Sequence, residues 1–467
     1  MQPLHEDLVE IALDTFLKLK VDFADVRFVE LKGLRIEIAD GRVKELNSIS
    51  ERGLALRCLV SGGWGFTSTS LLTPSEVEKS CLRAYKLAKS IGERTRERAV
   101  EISCAPVRSI FMINPLKPFH DMGVEEKLKM CTDMEVEMKS LSDRIKSTNV
   151  TYSEINEETY VVNTLGSKSK QSVPAIIIAA VAYASEAGIV QRGRESHGGT
   201  GGIEILKSRN PLELAREAAR EALELLAAKS PPAGRYSCIL DPEIAGVFIH
   251  EAFGHACEAD IVLLGGSILE GMLGRRVGSP VVTVKDDPSI RGLFGYTPLD
   301  SEGVSGNGTT IVENGVLKSF LHNLETSSRM KVKQTGNARA QGYTHIPLVR
   351  MTNTFIDKGD WNVEELFEDL KRGIYAKGSN YGYVDPAKGE FVFKCSKLYL
   401  VENGKPKQLC RDAALSGYTL DVLTNVDAVA SDLTFKPGFC GKEDQLVRVT
   451  TGAPHVKVKD ILVGGMA

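Results

Sequence analysis

The chain has 467 residues, of which 42% are hydrophobic and 25% charged, a composition typical of globular proteins that bury a large core. One hydrophobic core rarely organises a chain of this length, so we expect two domains of roughly 200 residues each. The formal net charge of -3 excludes a global positive field that would draw the protein onto nucleic acid or an anionic membrane. We therefore expect neither of these partners.

The N-terminus and the cysteines favour a cytoplasmic location. The first residues lack the basic, apolar and small-residue order of a secretory signal, and they predict a helix at about residues 4–20. The most apolar run, residues 173–184, is too short to cross a bilayer and is rich in β-branched residues, which predicts a buried strand. Nine cysteines are scattered without a CxxC pair, a pattern that fits buried thiols in a reducing compartment.

The first half of the chain carries hairpin and helix signals. Asp40-Gly41 stands between two alternating segments and predicts a two-residue hairpin turn, so an antiparallel meander follows the first helix. More strands are expected at residues 158–187, around a turn at Leu165-Gly166. Helix-favouring segments lie at residues 74–90, 122–145 and 212–229.

The second half is richer in strand signals. Hairpin turns are predicted at Asn314-Gly315 and Asn403-Gly404, whereas helical signals are confined to residues 242–255 and 362–373. Hairpins that are segregated from helices, without βαβ alternation, indicate an α+β fold rather than a doubly wound sheet.

A stretch with two prolines and a glycine, residues 229–234, separates the two halves and predicts a domain boundary. We therefore expect an N-terminal α/β domain with an antiparallel sheet at residues 1–229. A β-rich C-terminal domain that carries a metal site is expected at residues 235–467.

The strongest chemical signal is the segment HEAFGH at residues 250–255, because it places two of the eight histidines within six residues. The preceding residues 241–243 suit a helix N-terminus, so the segment should begin as a helix. On a regular helix, side chains five residues apart diverge by about 140°, too far for two imidazoles to share one ion. Shared binding therefore requires a break between Glu251 and His255, either a π-type bulge or an abrupt end, which Gly254 is best able to permit.

Two imidazoles leave at least one protein ligand to find. The candidates are Cys257, Glu258, Asp260, His345, Cys440 and His455. Cys440 is preferred because it stands in a loop-like segment with Pro437 and Gly438, whereas Cys257 follows His255 too closely to point the same way. Its thiolate would suit zinc and also ferrous iron.

Glu251 points to a different helix face from His250 and need not bind the ion. Its carboxylate could accept a proton from metal-bound water and pass it to a leaving amine. That arrangement predicts a hydrolase.

Further segments of the chain accompany residues 250–255. They are DSEG (300–303), TGNAR (335–339), PLVRMTNT (347–354), VDP (384–386), GEFVF (389–393) and CGK (440–442) in the second half, with NTLG (163–166) and RGR (192–194) in the first. Together these segments resemble the TldD/PmbA metalloproteases, and specifically the TldD-like branch that retains the HExxxH motif. The family pattern after residues 335–337 often has consecutive arginines, whereas here Arg339 stands between two alanines.

This resemblance implies a zinc-dependent metallopeptidase in which His250, His255 and Cys440 hold the metal and Glu251 is the catalytic acid and base. It also implies a dimer, formed with a second copy or with a related TldE/PmbA-like subunit that lacks the metal motif. Such a dimer would enclose a chamber that cleaves unfolded peptides held by added β-pairing.

Other interpretations stay open from the sequence alone. The chain could be a non-catalytic, metal-stabilised binding or regulatory subunit, whose ion would have four protein ligands and no exchangeable water. A role in regulating a nucleic-acid enzyme is disfavoured by the near-zero charge. The glycine-rich residues 198–202 favour a flexible loop or an interdomain connection over a phosphate cradle. Arg339, Arg350 and Asn353 could recognise a peptide backbone or a terminal carboxylate, or could make structural hydrogen bonds.

Overall fold

The computed structural model describes residues 5–95 and 101–465. Within them, the helices of the first half are α1 (Glu6–Lys18), α2 (Pro74–Gly92), α3 (Val124–Ser140) and α4 (Pro211–Leu226). The strands of the first half are β1 (Phe23–Ala39), β2 (Arg42–Val60), β3 (Gly63–Thr69), β4 (Ile110–Met112), β5 (Ile145–Asn163), β6 (Lys168–Glu186) and β7 (Ile189–Thr200). The predicted start of the first helix at Leu4 lies outside the described residues.

The long strands of the first half form one sheet in the order β3-β2-β1-β5-β6, with β7 and the short β4 both paired to β6. Helices cover this sheet in two places. Side chains of α1 and α2 form one core with β1 and β2, while α3 and α4 form a second core with β5 and β6. The apolar residues 173–184 lie in β6, which is largely buried, as their composition predicts.

In the second half, the helices are α5 (Pro242–Phe248), α6 (Ala259–Leu263), α7 (Leu324–Met330), α8 (Val363–Leu370) and α9 (Thr419–Thr424). Its first strands are β8 (Gly234–Leu240), β9 (Val284–Asp286), β10 (Thr309–Glu313), β11 (Val316–Leu317), β12 (Ala338–Arg339), β13 (Leu348–Val349) and β14 (Asn353–Ile356). The remaining strands are β15 (Arg372–Asp385), β16 (Glu390–Glu402), β17 (Lys405–Cys410), β18 (Ala413–Tyr418), β19 (Val426–Val429), β20 (Thr434–Lys442), β21 (Gln445–Ala453) and β22 (Val456–Gly465).

Two sheets organise these strands. In one, β15, β8, β22, β18 and β16 follow each other, and β16 pairs back to β15, so the five strands close into a ring. The other has the order β11-β10-β9-β14-β21-β20, which leaves β20 at an edge. Helix α5 lies in the shared core, where the ring of Phe248 meets those of Phe391 and Phe393 at centroid distances of 5.2 and 6.3 Å. The predicted mixed α+β class is confirmed.

The three predicted hairpins are confirmed, because Asp40-Gly41, Asn314-Gly315 and Asn403-Gly404 each join paired antiparallel strands with both turn residues at positive φ. The predicted flexible loop at residues 198–202 is wrong at its start, where β7 continues to Thr200. Gly199 is required there because a Cβ atom would lie 2.4 Å from the carbonyl oxygen of Gly292. The division into domains at residues 229–235 stays a prediction.

Among the residues that the structure describes, we find no helix with the length and apolar character that crossing a bilayer requires.

Candidate metal centre

The helix that carries the histidines changes its geometry where the five-residue spacing demands it. Asp241 caps α5 by accepting a 2.9 Å hydrogen bond from the backbone N–H of Ile244. The chain then continues as a π-helix at Ile249–Gly254, followed by a 3₁₀ turn at His255–Cys257. The backbone N–H of His255 donates to the carbonyl of His250, the five-residue bond of a π-helix. The predicted break in helical regularity is confirmed, and it brings both imidazoles to one side.

Gly254 takes part in this break for a different reason from the one predicted. Its backbone has ordinary helical angles, φ −60° and ψ −46°, so the site makes no use of glycine's conformational freedom. A Cβ atom at this position would instead lie 2.1 Å from Sδ of the buried Met351. Gly254 is therefore needed for the close approach of Met351 to the π-helix.

The structure brings His250, His255 and Cys440 together. One possible ligand atom from each lies within 4.8 Å of the other two, and no other group of this kind is found in the described part of the chain. The two imidazole centroids are 5.4 Å apart with their planes at 83°. Sγ of Cys440 is 3.5 Å from Nε2 of His255. Three side chains from two distant segments thus converge on a space that one ion could occupy.

The chemistry of these side chains fits a metal ion. Both ring nitrogens of His250 are buried without a hydrogen-bond partner, a costly arrangement that a bound cation would relieve. Burial alone would raise the pKa of the Cys440 thiol, but the neighbouring imidazolium charges of His250 and His255 outweigh it and lower the pKa to about 5. A metal ion bound here would take the place of the imidazolium protons beside the same thiolate.

A second layer of charged groups orients His255. Its Nδ1 lies 3.1 Å from Oε2 of the fully buried Glu258, and the ammonium of Lys442 lies 3.1 Å from the same oxygen. Lys442 also donates to both carboxylate oxygens of Asp260 at 2.8 Å. Burial alone would lower the pKa of His255, but the Glu258 carboxylate and Cys440 raise it. A carboxylate on Nδ1 leaves Nε2 free to face the centre, as in many metal sites.

Cys440 lies on a strand, so the prediction of a loop-like segment is wrong. It is in β20, opposite Val447 of β21. Pro437 and Gly438 suggested a loop, but an edge strand accommodates both residue types because its outer N–H groups need no partner. The guanidinium of Arg350, fully buried, donates to the carbonyl oxygen of Cys440 and so fixes the strand beside the histidines.

Glu251 stands at the solvent side of the centre. Its side chain is 41% exposed, and its Oε2 lies 3.7 Å from Nε2 of His255. The carboxylate is thus beside the space between the three side chains and can also exchange protons with water.

The other predicted candidate ligands have different partners. Cys257 is buried in the apolar core, and His345 contacts Thr344 at 3.0 Å on the surface. His455 is held by Asp432 at 2.7 Å and by the Tyr375 hydroxyl at 3.1 Å.

Asp286 is a central residue that sequence reasoning missed. Its carboxylate is fully buried and accepts hydrogen bonds from Nδ2 of Asn337 at 2.8 Å, from the backbone N–H and hydroxyl of Thr352 at 2.8 and 2.7 Å, and from the Thr354 hydroxyl at 2.7 Å. Two of the motif segments, residues 335–339 and 347–354, therefore converge on one carboxylate. No local pattern around Asp286 signals this, because its partners lie more than fifty residues away.

Family models match three consecutive parts of the chain. PmbA/TldA metallopeptidase domain 1 matches residues 24–88, the central domain residues 117–226 and the C-terminal domain residues 233–465. A metalloprotease of Methanocaldococcus jannaschii is 43% identical over 438 residues, which cover 93% of this chain and 96% of the relative. The chain belongs to the PmbA/TldD family of metallopeptidases. The resemblance that the sequence motifs carry is confirmed.

Other members of the PmbA/TldD family extend the comparison. A protein of Saccharolobus solfataricus named zinc metalloprotease TldD homolog is 30% identical over 459 residues, 96% of this chain and 98% of the relative. The crystal structure of TldE from Thermococcus kodakarensis superposes with a TM-score of 0.78 at 16% identity, covering 99% of this chain and all of that one. At 16% identity, the similarity to TldE shows a shared fold and nothing more.

Proposed function

We propose that this protein is a zinc-dependent metallopeptidase that hydrolyses unfolded peptides, with His250, His255 and Cys440 as the metal ligands and Glu251 as the acid and base. The observation that carries the proposal is the convergence of His250, His255 and Cys440 on one space, with both nitrogens of the buried His250 lacking a partner. The metalloprotease names of relatives that match nearly the whole chain support it.

Each residue has a role that follows from its position. Zinc held by His250, His255 and Cys440 would supply a Lewis acid that makes water more acidic. Glu251, half-exposed beside His255, accepts the proton of the attacking water and returns it to the leaving amine. Glu258 holds the imidazole of His255 through Nδ1, and Arg350 holds the strand of Cys440.

Ferrous iron is the second metal that this set of ligands would accept, since imidazole and thiolate both bind it. The S. solfataricus relative is named a zinc metalloprotease, which favours zinc here.

The alternative is a structural metal site in a non-catalytic binding or regulatory subunit, which would take four protein ligands. The local geometry favours the catalytic role, because the cluster offers three ligands and the adjacent Glu251 is open to solvent.

For the assembly, we propose a cytoplasmic dimer, either of two copies or with a related TldE/PmbA-like subunit. The fold likeness to a TldE protein supports a common architecture for the two kinds of subunit. The free edge of β20, next to the centre, offers backbone groups to which an extended peptide could pair.

The test is cleavage of an unstructured peptide, followed by mass spectrometry, with the full chain before and after chelation. We expect cleavage to stop on chelation and to return with added zinc. Glu251→Gln should lower the rate by about 10²- to 10⁴-fold while its zinc content stays equal to that of the parent. Glu270→Gln, which changes an exposed carboxylate away from the centre, is the matched control. Turnover that survives chelation, or a fully active Glu251→Gln, would contradict the proposal.

A further inference from the structure

A cavity of about 290 Å³ lies between the two halves of the molecule. One wall is the face of the first sheet, with Ile155 and Val173, and the opposite wall includes Phe294 and Phe439 of the second half. The two phenylalanine rings meet edge to face at 5.3 Å. The volume suits a group of about the size of one amino-acid residue, at the lower end of the range for ligand pockets, and the walls combine apolar with polar side chains.

Arg339 lines this cavity without an ionic partner. It is only 7% exposed, and its guanidinium forms no ion pair with any residue of the described ranges. Within the described chain, the guanidinium makes a single hydrogen bond, 2.8 Å from Nη1 to the carbonyl oxygen of Met351. Buried cations are almost always paired. The remaining N–H groups of Arg339, in contrast, have no partner of the opposite charge in the described chain.

The nearby carboxylates are already committed to other groups. Glu157, which also lines the cavity, lies 3.5 Å from the guanidinium of Arg448. Asp286 is saturated by the four hydrogen bonds from residues 337, 352 and 354. The cavity is thus lined by the buried guanidinium of Arg339, by the largely buried ion pair of Arg448 with the partly exposed Glu157, and by Glu51, which stands exposed at its rim.

Burial, with the nearby charges of Arg448 and Arg350, lowers the pKa of Arg339 to about 9. The side chain therefore stays protonated at neutral pH, and a bound anion would offset its burial.

The cavity and the metal centre share the hairpin of β20 and β21 but lie on opposite sides of it. Phe439 lines the cavity and Cys440, the next residue, faces His255, because successive side chains of a strand alternate between its faces. The cavity is thus separate from the cluster of His250, His255 and Cys440.

We propose that this cavity binds the terminal carboxylate of a peptide whose last residue is apolar, with Arg339 as the group that pairs with the carboxylate. A guanidinium binds a carboxylate through two parallel hydrogen bonds, and the phenylalanine and aliphatic walls accept the side chain of the same residue. An aspartate or glutamate side chain would bring a carboxylate but no apolar group. The inference rests on the proposed function only in taking a peptide as the ligand.

The test measures binding to the full chain after chelation, so that neither hydrolysis nor carboxylate binding to the metal contributes. Calorimetry would compare acetyl-Gly-Gly-Gly-Leu with its C-terminal amide, which differ only in the carboxylate. We expect the acid to bind about tenfold more tightly or better. Equal affinities would overturn the proposal, and they would leave the metal-dependent cleavage test unaffected.

Two further peptides identify the source of the carboxylate. Acetyl-Gly-Gly-Gly-Glu amide carries it on a side chain, and acetyl-Gly-Gly-Gly-Gly carries it without an apolar group. Both should bind more weakly than the leucine acid. If either matched the leucine acid, a terminal apolar residue would not be the ligand.

Variants connect the effect to Arg339. In Arg339→Gln the preference for acid over amide should fall to about twofold or less, whereas Arg220→Gln, which changes an exposed arginine of α4, should keep the full preference. Glu157→Gln removes the carboxylate that pairs with Arg448 beside the cavity and should tighten binding of the acid by about threefold, because the cavity loses a negative charge. A variant that failed to fold could not bind more tightly, so this gain tests the proposal even if Arg339→Gln is unstable. An unchanged preference in Arg339→Gln, or no gain in Glu157→Gln, would overturn it.

Discussion

Asp286 and His250 are both buried polar side chains of the second half, yet their surroundings differ. Asp286 accepts four hydrogen bonds from three residues, whereas both ring nitrogens of His250 have no partner. The carboxylate of Asp286 has its four donors within the described chain, and we call this group the complete cluster, even though Oδ1 of Asn337 in it is buried without a partner. We call His250, His255 and Cys440 the incomplete cluster, because an unpaired buried imidazole is costly and the ligand that we propose there would relieve that cost.

The largest effect on stability is expected at the complete cluster. Asp286→Asn replaces an acceptor of four hydrogen bonds with a group that also donates, and it should lower the free energy of unfolding by about 3 kcal/mol. Urea unfolding should give the same loss with and without zinc, because the cluster binds no ion. Asp287→Asn is the control, since among the described residues its carboxylate accepts only from Ser289, which is exposed. A loss that appeared only with zinc would place Asp286 in the metal centre.

A smaller effect is expected one step away from the incomplete cluster. Glu258→Gln keeps a hydrogen-bond acceptor for Nδ1 of His255 but removes the charge, and it should weaken zinc binding by about 10- to 100-fold. Competition with a chromophoric chelator measures this change. The surface variant Glu270→Gln should bind zinc as the parent does. Unchanged affinity in Glu258→Gln would mean that the ion does not depend on the orientation of His255.

A further effect on stability is expected where the two clusters meet. Gly254→Ala pushes a methyl group against Sδ of Met351, and such overpacking costs about 1–3 kcal/mol. Thermal unfolding should detect it, and the double variant Gly254→Ala, Met351→Ala should remove the clash. If Gly254→Ala lowered the unfolding temperature as much in the Met351→Ala background as in the parent, the close approach of Met351 would not be the reason for glycine at this position.

The comparison also separates what the sequence could predict from what it could not. The hairpins were predictable because Asp-Gly and Asn-Gly pairs encode their turns locally, and the five-residue spacing of the histidines predicted the change in helix geometry. The strand that carries Cys440 was not predictable, because Pro437 and Gly438 are typical of loops. Only their pairing with β21 places them in a strand.

The partners of the buried charges depend on the tertiary fold. Glu258 was considered only as a ligand, and its pairing with Lys442 depends on residues 184 positions apart. The sequence near Asp286 does not reveal the partners of its carboxylate. The sequence near Arg339 does not reveal that its guanidinium has no ionic partner. Spacing alone left six candidate ligands open. The preference for Cys440 came from a loop-like context that the structure does not have, and the family resemblance implied the same residue independently.

The central claim is that His250, His255 and Cys440 bind one ion, and metal analysis of the purified protein tests it most directly. The parent loaded with zinc and freed of excess should hold one equivalent per chain, and Cys440→Ala should hold less than about a tenth of that. Cys395→Ala, which changes another buried cysteine, should keep the full equivalent. A Cys440→Ala variant that retained one tightly bound zinc would contradict the account.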